Sequence, residues 1–81
     1  MVEVKVLGTG CRKCNKLYEE AQKAVAESGV EVNLSKVESL DQIASYGVMS
    51  TPALVVAETV KSTGKIPKPD QIVSWIKEAA K

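Results

Sequence analysis

Histidine and phenylalanine are absent from this chain of 81 residues, and only two cysteines and three aromatics (Tyr18, Tyr46, Trp75) are present. Without histidine, catalysis by an imidazole acid or base is excluded. The shortage of aromatics leaves aliphatic side chains to fill the core. That core must be compact, because a domain of this size buries only about 60–65% of the surface its unfolded chain exposes. Charge of one sign is not in excess either: 11 Lys and Arg against 10 Asp and Glu give a formal net charge of +1. Such a balance argues against a dedicated nucleic-acid binder. No apolar run approaches the ~20 residues needed to span a bilayer, so no membrane partner is expected. The length fits one domain, residues 1–81. Met1-Val2-Glu3-Val4-Lys5-Val6 alternates as a strand does and does not read as a signal peptide.

Hydropathy patterning places the elements. Val2, Val4 and Val6 define one buried face of a first strand, which Gly8-Thr9-Gly10 then breaks. From Cys14 the positions Leu17, Tyr18, Ala21, Ala24, Val25 and Ser28 trace one face of a helix, opposite Lys16, Glu19, Glu20, Lys23 and Glu27. Gly29 suits the left-handed residue that ends a helix. A second strand follows over 30–37, and strand, helix and strand in this order most simply form a right-handed parallel crossover. Ser39 and Gln42 have the spacing of a capping box ahead of a short helix over about 40–46, closed by Gly47. Pro52 opens a third strand, Ala53 to Val56, and a fourth runs from Thr59 to Thr63. With only Ala57-Glu58 between them, the last two strands must form an antiparallel hairpin. That turn lacks the usual Gly or Asn. A final helix over about 69–80 starts with Pro69 and faces Ile72, Val73, Ile76 and Ala79 or Ala80 inward. The fold class is α/β, in the order β-α-β-α-β-β-α.

The chemistry concentrates in Cys11-Arg12-Lys13-Cys14, between the first strand and the first helix. Positions i and i+3 at a helix start lie on one face, with Cα atoms about 5–6 Å apart, inside the range a disulfide requires. Free amides and the helix dipole at that end stabilise an anion, more at Cys11 than at Cys14. Arg12 and Lys13 add positive charge, and Lys16 follows. Cys11 is therefore expected to titrate below the free thiol value of ~8.5 and to act as nucleophile, with Cys14 as the resolving thiol. Attack of the Cys11 thiolate on a substrate disulfide gives a mixed disulfide, which Cys14 then resolves. A purely structural disulfide here would close too short a loop to stabilise much. Two inert core cysteines fit poorly with a Gly-rich loop, which is a surface feature. Zinc would need further ligands from a second copy or from carboxylates, so no metal is expected.

A second motif, Met49-Ser50-Thr51-Pro52-Ala53-Leu54, puts a proline at a strand entrance, where it costs a ladder hydrogen bond. Gly8-Thr9-Gly10-Cys11-Arg12-Lys13-Cys14, then Thr51-Pro52-Ala53, then Gly64, resembles the thioredoxin superfamily. More narrowly, the pattern is similar to the small thioredoxin- and glutaredoxin-like redox-active disulfide proteins of archaea and bacteria, over nearly the full chain. The resemblance implies a thioredoxin-like fold: a four-stranded mixed sheet in the order 2-1-3-4, the first and third helices on one face and the second on the other. It implies a thiol-disulfide oxidoreductase whose redox group is the Cys11–Cys14 disulfide, with no other cofactor. Thr51-Pro52 would be cis, the Thr51 backbone would pair with an extended substrate, and Gly64 would leave room for it. Gly10, Arg12, Lys13 and Ser50 complete the implied substrate contacts. Partners would be disulfide-containing proteins and an upstream disulfide reductase of the thioredoxin-reductase kind, met by a monomer in the cytoplasm. The chain departs from thioredoxins in having Gly10 in place of the preceding Trp and Arg12-Lys13 in place of Gly-Pro. Lys5 stands where thioredoxins have a buried Asp; its ammonium either reaches the thiols or lies on the more solvated sheet face. The Tyr that glutaredoxins carry inside the motif is missing.

The main rival is a small Cu(I) chaperone, since two soft thiolates suit that ion. Copper-carrying domains also place Cys-X-X-Cys between a first strand and helix, but after Gly-Met-Thr and with two strands between two helices. Thr51-Pro52 has no role in that scheme. A non-catalytic interaction domain is the third reading. Lys61, Lys65 and Lys68 read as a solvated face, with acidic partners as the other reading.

Overall fold

In the computed structural model, which describes residues 2–8, 12–48 and 50–80, the valine alternation at the start of the chain sets the sheet. Strand β1 (Val2–Leu7) buries Val2, Val4 and Val6 on one face and turns Glu3 and Lys5 to the other. It pairs in parallel with β2 (Val32–Val37) and antiparallel with β3 (Ala53–Val56), which pairs antiparallel with β4 (Thr59–Thr63). The sheet order is β2-β1-β3-β4, as the resemblance implies. Helices α1 (Arg12–Ser28) and α3 (Pro69–Ala79) cover the valine face. There Leu17, Ala21 and Ala24 meet Ile72, Ile76, Leu54 and Val56. Helix α2 (Leu40–Ser45) covers the other face, where Ile43 packs with Leu7, Val48, Ala53 and Val55. All four residues of β3 are buried, which an interior strand with helices on both faces requires.

Several local expectations are met and some are corrected. Gly29 ends α1 with φ +67, in open space but in a left-handed conformation that other residues adopt only with strain. Ser28, which falls on the apolar stripe, is buried but satisfied: its hydroxyl donates to Val25 O (2.9 Å) and accepts from Val30 N (3.1 Å). The second strand begins at Val32, two residues later than the alternation suggests. Ser39 precedes α2 without a side-chain capping bond, so the capping box is not formed; only its carbonyl takes the Ile43 amide, at 2.9 Å. Ser39 and Gln42 are both exposed, and water satisfies such groups without a cap. Ala79 and Ala80 are exposed as well, so the inward face of α3 rests on Ile72 and Ile76, with Val73 half-buried.

The largest correction concerns Glu20, expected on the solvated face of α1. Only 8% exposed, it is clamped between Lys16 (3.3 Å) and Lys23 (3.4 Å). The hydrogen bond from Lys16 and then the charge of Lys23 hold its carboxyl below the ordinary range, against the cost of burial. A signal existed in the spacing. Position 20 is three after Leu17 and four before Ala24, on the buried stripe itself.

Candidate functional site

Three strand ends meet at the edge of the sheet where the two motifs lie. Leu7, the last residue of β1, pairs with Ala53, the first of β3, and Ala53 pairs in turn with Thr63 at the end of β4. The loops that begin at Gly8, end at Pro52 and begin at Gly64 therefore leave the sheet side by side. Thr9, Gly10, Cys11 and Met49 lie outside the described residues, so the nucleophile expected at position 11 and the contact expected at Gly10 have no geometry here.

Cys14 sits in the first turn of α1 and is 5% exposed. Its side chain lies over the backbone of Gly8. A β-carbon at position 8 would overlap Cys14 Sγ and come within 3.0 Å of Cys14 Cβ. The Gly8 amide meanwhile donates to Val37 O at 3.0 Å, which fixes that backbone to the end of β2. Gly8 is the residue that motif reading leaves unassigned: only a glycine lets the helix turn bring a thiol down onto the strand end. Arg12 and Lys13 are both exposed, and the first turn of α1 contains no acidic residue. Cations there oppose the helix dipole and cost helix stability, but they favour an anion placed at that end. Lys16 is less available for that purpose than its position suggests, because its ammonium is bound to Glu20.

On the facing loop the Thr51–Pro52 peptide bond is cis. Pro52 is fully buried, whereas Ser50 and Thr51 are exposed. The Pro52 carbonyl accepts the Gly64 amide at 2.7 Å, which ties the proline loop to the end of the hairpin. Gly64 has φ +67, and a β-carbon on it would stand 3.4 Å from Ser50 Cβ. Ser50, Thr51 and Gly64 are thus brought together at one surface, with the buried Pro52 beneath them.

Lys5 is not part of that surface. Alternation along β1 turns it to the face that α2 covers, opposite α1. Its ammonium donates to Tyr46 OH (2.8 Å) and Glu58 Oε1 (2.9 Å), and Tyr46 OH donates to Glu58 Oε2 (3.2 Å). The Tyr46 bond first, and then Glu58, raise the Lys5 pKa above its ordinary value. Glu58 is held below its own, first by Lys5 and then by Tyr46. The solvated-face alternative for Lys5 is the one observed.

Comparison with known proteins gives the frame for this surface. The family described as Thioredoxin domain matches residues 2–77. A thioredoxin of Methanocaldococcus jannaschii is 38% identical over 77 residues, covering 95% of this chain and 88% of that protein. A thioredoxin of Methanothermobacter thermautotrophicus is 32% identical over 72 residues, covering 89% and 94%. A solved structure described as that of a malarial protein superposes with a TM-score of 0.73 over 98% of this chain and 97% of its own. At 19% identity that likeness speaks for the fold alone. None of these gives support to a metal carrier. Fold, motif order and relatives agree that this chain belongs to the thioredoxin family, and its function is of the thioredoxin-like redox kind.

Proposed function

We propose that the chain is a thiol-disulfide oxidoreductase working through the Cys11–Cys14 couple. The Cys11 thiolate attacks one sulfur of a substrate disulfide. A Cys11–substrate disulfide forms, and the second substrate sulfur leaves as a thiolate that takes a proton from water. Cys14 then loses its proton and attacks Cys11 Sγ, releasing the first substrate sulfur as a thiol. Two electrons have passed to the substrate and the couple is oxidised. An upstream dithiol reductase, working by the same exchange, restores it. The two sulfurs carry both electrons, so no further cofactor enters. Ser50, Thr51 and the cis Pro52 form the platform for the substrate backbone, and Gly64 keeps the approach open. Arg12 and Lys13 favour the Cys11 thiolate, and the setting is cytoplasmic.

The observation that carries this reading is the seating of Cys14 on Gly8 at the strand end adjoining the Pro52 loop. Its test is the reduction of a disulfide-containing protein by the pre-reduced chain. Cys11→Ser should lower the rate to background, and Cys14→Ser should trap a mixed disulfide visible by mass. Alkylation of Cys11 should follow a pH profile below the free thiol value of ~8.5. Wild-type activity in Cys11→Ser would overturn the reading. The potential of the couple then decides direction, with ~30 mV equal to a tenfold change in the equilibrium.

A further inference from the structure

Beyond the cysteine and proline loops, one groove stands out by its charge. It has a volume of about 500 Å³ and runs between β4, the loop after Gly64 and the outer side of α3. Lys61, Lys65 and Lys68 line it, with Gln71, and half-buried Ile66 and Trp75 form its apolar floor. Among the described residues the lysines in ion pairs are Lys5, Lys16 and Lys23, and no described carboxylate lies within 4.0 Å of the Lys61, Lys65 or Lys68 ammonium groups. Three like charges lining one groove repel one another to the extent that salt leaves them unscreened. An anionic occupant removes that repulsion.

We propose that this groove docks an acidic, extended segment of the protein partner, next to the disulfide under exchange. The proposal rests on the redox reading and names the class of partner. Four observations favour a peptide chain over a small anion. β4 is the last strand of the sheet, so its outer N–H and C=O groups are unpaired and can meet another backbone. Lys61, Ser62 and Thr63 of that strand line the groove. Trp75 presents the amphipathic surface common at protein interfaces. Finally, Thr63 and Lys65, which line the groove, flank Gly64, and Gly64 is bonded to Pro52 and lies against Ser50. A segment leaving the proline loop gains about 3.3 Å per residue and reaches the lysines within a few residues. An overall charge of +1 disfavours a nucleic acid, whereas a local cationic channel suits carboxylates.

The test uses two disulfide peptides of equal length, one flanked by glutamates and one by lysines, and a glutamate-rich peptide without cysteine. Trp75 is the only tryptophan, so its fluorescence reports occupancy without any redox step. The cysteine-free peptide should give a saturable change that weakens about tenfold between 50 and 200 mM salt. Reduction of the acidic peptide should show a KM about tenfold below that of the basic one. Replacing Lys61, Lys65 and Lys68 together by Gln should erase the preference through KM, and replacement by Arg should keep it. Absence of saturable binding, or a preference that survives the Gln variant, overturns the proposal. So does displacement of the peptide by inorganic phosphate at equal concentration, which would mark a small-anion site. If neither disulfide peptide is reduced, the redox reading fails while the fluorescence titration still decides the groove.

Discussion

The two ends of β3 are unusual turns secured by different means. At its start, beside the cis Thr51–Pro52 bond, the Pro52 carbonyl takes one backbone hydrogen bond from Gly64, and the glycines at 8 and 64 leave room for Cys14 and Ser50. At its other end, Ala57 and Glu58 both adopt the left-handed conformation, with φ of 51 and 64, though neither is a glycine. Side chains from two other elements, Lys5 of β1 and Tyr46 at the end of α2, hold Glu58 there. The proposed substrate end leaves its surface bare, as approach of another molecule would require. The other end is closed by polar side-chain contacts.

The bare end is the more easily broken. Gly8→Ala puts a β-carbon against Cys14 Sγ and Cys14 Cβ, and a buried cysteine in the first turn of a helix has little freedom to retreat. Overpacking of this kind costs about 1–3 kcal/mol. The displaced thiol should also resolve a mixed disulfide at least tenfold more slowly, since exchange needs three sulfurs nearly in line. Denaturant melts and the lifetime of the mixed disulfide measure the two effects. Wild-type resolution in Gly8→Ala would show that the Cys14 contact with Gly8 does not position the thiol.

The same contrast explains what could be read from residue order. Valines at 2, 4 and 6, the stripe along α1 and the two-residue gap at 57–58 are local patterns, and each produced the element it indicates. Even without Gly or Asn, a two-residue gap leaves no other way to connect two strands. Cys14 and Pro52 are legible as candidate site residues because family motifs repeat their neighbours. The Lys5–Tyr46–Glu58 group was not, because its members lie 41 and 12 residues apart and meet only once the sheet has formed. Gly8 falls between these cases. Its place in a Gly-rich loop is visible, but its contact with Cys14 depends on the angle at which α1 leaves the strand.

At the hairpin end, substitution should help. Ala57 carries no side-chain bonds that a glycine would lose, and its amide bond to Glu3 O (2.8 Å) is kept. A non-glycine residue in the left-handed region costs about 1 kcal/mol or more. Ala57→Gly should therefore raise stability by up to about 1 kcal/mol, less what glycine costs in unfolded-chain entropy. The denaturation midpoint reads this directly. A clear loss of stability would mean that φ at Ala57 is not the strained feature of the turn.

The polar clasp itself should show as a small pH dependence with two limbs. Glu58 has a folded pKa below its ordinary 4.5, so its contribution is present above that value and disappears as pH falls through the folded pKa. Lys5 has a folded pKa above its ordinary 10.5, so its contribution is complete below 10.5 and disappears as pH rises through the folded pKa. Glu20, also depressed, adds to the acid limb by a separate clamp on α1. Comparison of wild type with Glu58→Gln isolates the hairpin share: the acid limb should flatten in part and keep the part due to Glu20. Because Glu58 is 63% exposed, solvent screens the pair, and the difference should be modest and shrink in high salt. An acid limb unchanged by Glu58→Gln would show that the left-handed turn holds without its clasp, and would leave the two ends of β3 secured by backbone alone.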